Sequence, residues 1–374
     1  MSFLYLTLLC SMMTVFASDP ALESTPPSSA KILKPLTVNS TTTDVVEPAS
    51  NIMFQSKDGG QTWNDISQSL PENGEPEGFF AGESDFYLSL KNVLYRSKSN
   101  LITPVWEKEN ILDQRNYWGK EKVIDPQNTS IAFSPSGVKA YNYKGNIYQK
   151  TPATGAWLPI YTNFKNKLLR TVIETSDGSV FLGCDDGLYK SADKGQSWKH
   201  VLNQGWVMDI VESEGVLIGT GQQGIMRSTD NGEHWEWVIS EGGVGIAVER
   251  IDGGFAAISY STKTQSRRIR ISLDGGKTWK AIDEGLQPSL FLSSVKAYQA
   301  TSSFSSINGL PAQAFISSIK QMGKYLICGH PDGILRSPDM GKTWELVQAG
   351  VDKKVFRIYT SGNILYAVLG NLGC

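Results

Sequence analysis

Ser56-Lys57-Asp58-Gly59-Gly60-Gln61-Thr62-Trp63 is one of five copies of a single pattern, Ser-x-Asp-x-Gly-x-(Thr/Ser)-Trp. The others are Ser191-Ala192-Asp193-Lys194-Gly195-Gln196-Ser197-Trp198, Ser228 to Trp235 (with His234 in the Thr place), Ser272 to Trp279 and Ser337 to Trp344. The residue types describe a tight turn between two strands. Aspartate folds back onto turn amides, glycine supplies a positive φ, and the tryptophan ring is buried beside the next strand. Asp58, Asp193, Asp230, Asp274 and Asp339 are therefore expected to be structural, as are Trp63, Trp198, Trp235, Trp279 and Trp344.

Working outward, two degenerate copies fill the gap after the first box. One runs from Ser97 to Trp106 and is too long, and one runs from Thr151 to Trp157 and is too short. The series Trp63, Trp106, Trp157, Trp198, Trp235, Trp279 and Trp344 then has spacings of 43, 51, 41, 37, 44 and 65 residues. Residues 51–374 divide into seven repeats of about 46 residues, the size of a four-stranded unit. A full repeat such as 207–239 holds three short apolar runs before its box and Trp235. The C-terminal residues supply only the first half of a repeat (Phe356-Arg357-Ile358-Tyr359, then Asn363 to Gly370). Residues 51–63 supply only the second half. Joined, they make one complete unit and leave no half-sheet with an unpaired edge.

The pattern resembles the Asp-box, or bacterial neuraminidase repeat, which caps the outer hairpin of propeller blades. The expected fold is all-β: a seven-bladed β-propeller with four-stranded antiparallel blades, closed by N- and C-terminal half-blades over residues 51–374. The resemblance implies that boxes sit away from the ligand face and carry no chemistry.

The chain has 374 residues, 40% hydrophobic and 19% charged, with a formal charge of −2 and 36 Gly. This suits a soluble β-rich domain with many turns. Near-neutral charge without a basic stripe argues against a nucleic-acid partner, whose affinity rests on phosphate neutralisation. Residues 1–17 read as a signal peptide, with an apolar run from Phe3 to Phe16 ending Val15-Phe16-Ala17, although the stretch before that run has no Lys or Arg. Residues 18–50 are rich in Pro, Ser and Thr and read as a disordered leader, which could place the protein near a membrane. The expected location is exported, periplasmic or extracellular. Cys184 and Cys328 fall mid-strand in non-neighbouring repeats and Cys374 at the end, a scatter that suits free thiols better than a disulfide or zinc site. No metal and no cofactor is expected.

In a propeller the first strand of each blade lines the axis. The box turn joins strands three and four, so blade-to-blade connections and the turns between strands two and three emerge on the opposite face. That face is where ligands converge. The connection 109–127 carries Tyr117 and Trp118, and the longest loop, 284–313, accounts for the 65-residue spacing. Trp206, Arg267, Arg268, His330 and Asp332 are placed on the same face. Asp209 and Arg357 align with Thr171, Ala247 and Ser318 on the inner strands, and are expected as charges lining the channel at its centre. The alternative for this pair is a water-filled channel with charged walls. For His330 it is a solvent-exposed turn.

Sialidases are the first Asp-box enzymes to consider, and they resemble one another in an Arg-Ile-Pro stretch before the first box and in three arginines gripping a carboxylate. This chain has no Arg-Ile-Pro, and its first arginine is Arg96. Arg267-Arg268-x-Arg270 clusters in sequence, but strand neighbours point to opposite faces. Xyloglucanase-type glycosidases place catalytic carboxylates between tandem propellers. The chain is more similar to the single, exported, seven-bladed propellers of the photosystem II stability/assembly factor type. That resemblance implies a noncatalytic scaffold that binds a protein or carbohydrate partner, and the chain is expected to act as a monomer through the face opposite the boxes. The alternative is a glycoside hydrolase of sialidase-like type.

Overall fold

The computed structural model describes residues 51–109, 129–284 and 316–370, apart from short gaps in connections, together with residue 286. The 1–17 and 18–50 segments, Tyr117, Trp118 and residues 287–313 lie outside the described residues.

The chain is all β. Two strands, β1 (Met53–Ser56) and β2 (Asn64–Asp65), precede six successive four-stranded sheets. These are β3 (Pro76–Ala81), β4 (Asp85–Leu90), β5 (Val93–Lys98) and β6 (Glu107–Lys108); β7 (Thr129–Ser134), β8 (Gly137–Asn142), β9 (Ile147–Lys150) and β10 (Trp157–Tyr161); and β11 (Leu169–Glu174), β12 (Val180–Cys184), β13 (Gly187–Ser191) and β14 (Lys199–Leu202). They continue with β15 (Val207–Ser213), β16 (Val216–Gly221), β17 (Gly224–Ser228) and β18 (Glu236–Ile239); β19 (Val244–Ile251), β20 (Gly254–Ser261), β21 (Ser266–Ser272) and β22 (Lys280–Ala281); and β23 (Ser318–Met322), β24 (Tyr325–His330), β25 (Gly333–Ser337) and β26 (Glu345–Ala349). The last two strands, β27 (Val355–Ser361) and β28 (Ile364–Gly370), join the first two in a seventh sheet of order β2-β1-β28-β27. Every pairing is antiparallel, and the sheets are the blades of a β-propeller.

The first strands of the sheets pack in a closed sequence, β3 on β7, then β11, β15, β19, β23 and β27, which returns to β3. Closure is made by β1 on β28, where Met53 to Ser56 face Val368 to Leu365, and Gln55 Nε2 reaches Tyr366 Oη at 3.4 Å. The short strand β2 covers only Phe54 and Gln55. Ser67 completes that edge, its Oγ accepting the amides of Ile52 and Met53 at 2.9 Å each. Among the described residues the core is a series of separate apolar clusters, most of them between neighbouring blades. Ile258 and Ile269 pack with Ile319, Leu326 and Cys328, while Ile327 and Ile334 pack with Phe356, Leu365 and Leu369.

The boxes form as their residues require. In the first, Ser56 Oγ donates to Asp58 Oδ1 at 2.8 Å and accepts the Gly60 amide at 2.9 Å. Asp58 also accepts the amides of Gln61 and Thr62 and the Thr62 hydroxyl, and Trp63 Nε1 donates to the Gly60 carbonyl at 3.1 Å. The bonds to the box aspartate recur around Asp193, Asp230, Asp274 and Asp339, and Trp235, Trp279 and Trp344 repeat the tryptophan bond. The boxes at Gly60, Gly232, Gly276 and Gly341 rest on the blade before them. A Cβ on Gly232 would stand 2.5 Å from Phe181 of the preceding blade, and its φ is +75°, so no other residue fits there. In the degenerate copy Ser97 Oγ accepts the Val105 amide at 2.9 Å, and buried Trp106 donates to the Ile66 carbonyl of the blade before at 3.2 Å.

Candidate functional site

Turn positions divide the molecule into two faces. The box turns share one with the hairpins between first and second strands. That face is stitched from blade to blade: Asp177 accepts from Asn231, Glu212 accepts the Ser176 amide and hydroxyl at 2.7 Å, and Gln321 Oε1 accepts the Asp252 amide at 2.6 Å. Although burial opposes it, hydrogen bonds from Thr62, Ser56 and Gln61 hold the Asp58 carboxyl at about 2. Ser197 and Ser191 do the same for Asp193. These carboxylates are held ionised by the hydrogen bonds of their own turns.

The opposite face is built differently. Four inner strands carry a β-bulge at the same place, next to the incoming connection, with Glu77, Arg170, Met208 and Ile246 as the extra residues. A bulge re-aims the side chain that has no partner in the ladder. Arg170, Met208 and Ile246 stand on three consecutive blades and are half-buried. Arg170 Nη1 lies 3.5 Å from Met208 Sδ, and its guanidinium stacks on the Trp206 ring at 5.5 Å. Trp206 is half-buried, its carbonyl fixed by the Gln222 amide at 3.0 Å. Beside this arc Tyr189 is stacked on His200 (4.2 Å between centroids, 5° between planes) and covered by Lys167 at 5.3 Å. Its hydroxyl donates to Asp186 at 2.9 Å, and Asp186 also pairs with Lys167. Burial, and then Lys167, hold His200 below the usual histidine range.

Three expectations need correction. Arg267 and Arg268 are residues of β21, not of a loop, because the β20–β21 pairing runs on to Ser261 opposite Ser266. Arg267 is buried and donates to the Ile316 carbonyl at 2.7 Å, and Arg268 is bonded to buried Asp283 at 2.8 and 3.0 Å. His330 is neither an exposed turn residue nor a surface group. It ends β24, is 1% exposed, and burial holds it below the usual histidine range while Asp332 pulls the other way.

Asp209 is also not a simple channel wall. Its Oδ1 accepts the Ile210 amide at 2.9 Å and its Oδ2 the Val248 amide of the next blade at 3.4 Å. Burial raises its carboxyl to about 6; Lys320 opposes the shift and Glu249 adds to it. Lys320 and Glu249 pair with each other across β23 and β19. Arg357 stands three blades on, its side chain lying over Gly370 of β28, so the structure does not bring the two expected channel charges together. Asp332 is half-buried in the β24–β25 turn, and its carbonyl accepts the Gly350 amide at 2.7 Å.

The alternation of the first strands hid Arg170, Met208 and Ile246, because a bulge adds one residue without changing composition. Among the described residues no group of acidic, histidine or cysteine side chains could hold a metal ion. Cys184 and Cys328 are buried and free, and burial, with Asp185, pushes the Cys184 thiol to about 12. No helix among the described residues is long and apolar enough to cross a membrane.

With boxes on one face and an arc of bulge residues on the other, the chain is a β-propeller whose blades carry turns of the Asp-box pattern. Residues 270–281, spanning the fourth box, match the family described as BNR/Asp-box repeat. The fold is similar to the xyloglucanase from Xanthomonas campestris, with a TM-score of 0.56 and 14% identity over 83% of this chain and 53% of that one. This chain thus spans about half the length of that enzyme. It is similar to YCF48 from Cyanidioschyzon merolae, with a TM-score of 0.52 and 12% identity over 80% of this chain and 96% of that one. It is similar also to the virginiamycin B lyase of Staphylococcus aureus, with a TM-score of 0.54, 12% identity and the same coverage. No curated protein matches.

Proposed function

We propose that this chain is an exported, noncatalytic, seven-bladed scaffold. It binds a protein or carbohydrate partner, as a monomer, through the face opposite the boxes. The observation that carries this reading is Arg170, a bulge residue, lying against Met208, the bulge residue of the next blade, and over the Trp206 ring. Arginine with aromatic and thioether groups are types that anchor interfaces. The reading keeps Asp332 on the same face and gives Arg267, Arg268 and His330 a supporting role under it. Export rests on the apolar run in residues 1–17. The similar solved structures include enzymes and YCF48, so fold alone does not choose between catalysis and binding.

Asp209 has a structural role that needs no catalytic one, since each of its oxygens accepts a backbone amide and one of them reaches the next blade. The test is capture from the native source with intact protein and with Trp206→Ala and Arg170→Ala variants, beside fluorogenic sialosides and β-glucans as substrates. The reading expects one or more partners lost from both variants and no turnover. Turnover abolished by Asp209→Ala or Asp332→Ala would instead establish the glycosidase reading, and undiminished capture by both variants would place the site elsewhere.

A further inference from the structure

His330 is held in an arrangement that one proton would change. Its Nδ1 accepts the Asp332 amide at 3.2 Å, so in the neutral ring the proton sits on Nε2. Nε2 is buried and has no hydrogen-bond partner among the described residues, an unfavourable state for a buried donor. The same Nδ1 lies 3.8 Å from Oδ2 of the Asp332 carboxylate. One nitrogen therefore faces an amide and a carboxylate of the same residue. As an acceptor it can use only the amide; as a donor, only the carboxylate.

We propose that His330 and Asp332 form an acid-responsive latch: on taking a proton from solvent, His330 Nδ1 exchanges the Asp332 amide for the Asp332 carboxylate, and the turn carrying both rearranges. The turn matters because the Asp332 carbonyl holds the Gly350 amide at 2.7 Å, tying the β24–β25 hairpin to the connection that leads into β27. Turning the Asp332 amide away from the ring swings the peptide next to that carbonyl. The exchange thus loosens one blade connection on the face opposite the boxes.

The surroundings set the sense of the response. Asp332 is the charged group that favours the imidazolium, and burial opposes it more strongly. Cys328, on the same side of β24, stays a thiol because burial raises it. Arg267 reaches this blade from β21 and is bonded to the Ile316 carbonyl, while Ile316, Ser317 and the 349–351 segment bring no titratable side chain. A folded-state value below the ordinary 6.5 means the neutral ring contributes stability above 6.5 that is lost as pH falls through the folded value. The latch is closed at neutral pH and opens in acid.

The chain has three histidines, so 15N-histidine labelling of the whole protein resolves each ring. The inference expects His330 to show the Nε2–H tautomer at pH 8 and to titrate below 6.5 while the protein stays folded. The Asp332 amide signal and the hydrogen exchange of Gly350 should move on the same curve. In Asp332→Asn the His330 midpoint should fall further, and in His330→Gln the Asp332 and Gly350 changes should disappear. The proposal is overturned if His330 carries its neutral proton on Nδ1, or if the Asp332 amide is unmoved across the His330 titration. It is overturned equally if the change survives in His330→Gln, or if the protein unfolds before His330 is protonated. Should His330→Gln fail to fold, the shift of midpoint in Asp332→Asn decides.

Discussion

Asp209 on β15 occupies the place that Ser318 occupies on β23, and each accepts an amide hydrogen from the inner strand of the following blade. Asp209 Oδ2 takes that of Val248 at 3.4 Å, and Ser318 Oγ that of Ile358 at 2.8 Å. A carboxylate and a hydroxyl thus serve as the same interblade clip. The charge of Asp209 is incidental to that role and is tolerated because Lys320 lies near.

Ser318→Ala should therefore destabilise the protein by about 1–3 kcal/mol, the cost of a buried amide left without its acceptor. Urea unfolding measures it directly. A loss below a few tenths of a kcal/mol would mean that the Ile358 amide finds another partner.

Asp209 gives a pH signature of definite sign. Its folded value is raised to about 6 from 3.8, so its contribution is fully present below 3.8 and is lost as pH rises through 6. Asp209→Asn should flatten the dependence of Tm on pH between 4 and 7, and compare best with the parent protein at pH 8. A deficit that grows with pH would show that the carboxylate is ionised in the fold.

The boxes act in the opposite direction. Asp58, Asp193 and Asp339 are held at about 2, so what they contribute is present above 3.8 and lost as pH falls toward 2. Acid unfolding should set in below pH 4, followed by circular dichroism. Trp235→Ala should cost about 3–5 kcal/mol at neutral pH, because its ring packs against Phe181 of the preceding blade. Unchanged stability would contradict the structural role.

Deleting residues 51–66 removes β1 and β2 and leaves β28 with a bare edge. The truncated protein should aggregate or lose its cooperative transition in calorimetry. A monomer melting as before would refute closure by the two ends of the chain.

The fold was legible where chemistry repeats at fixed spacing. The five boxes announced their turns, and the half-repeats at 51–63 and 356–370 announced the shared sheet, because a strand pattern without its partners implies where the partners are. The site was less so. Arg267 and His330 looked like surface groups because both lie beside turn residues. Their burial depends on contacts with Ile316 and with the β24–β25 turn, which no local pattern encodes. Arg170 and Met208 were missed because their prominence comes from bulges, a property of register between strands rather than of either strand.

The pairing of β1 with β28 has a consequence for the order of events in synthesis. Gln55 and Tyr366 meet across 311 residues, so the blade that shuts the ring needs two strands made early and two made late among the described residues. Closing so long a segment carries an entropic cost that the one sheet must offset. Until the final strands emerge, the nascent protein is an open arc with an unpartnered blade at each end. Its period of greatest exposure to misassembly thus falls before β28 is available to pair with β1.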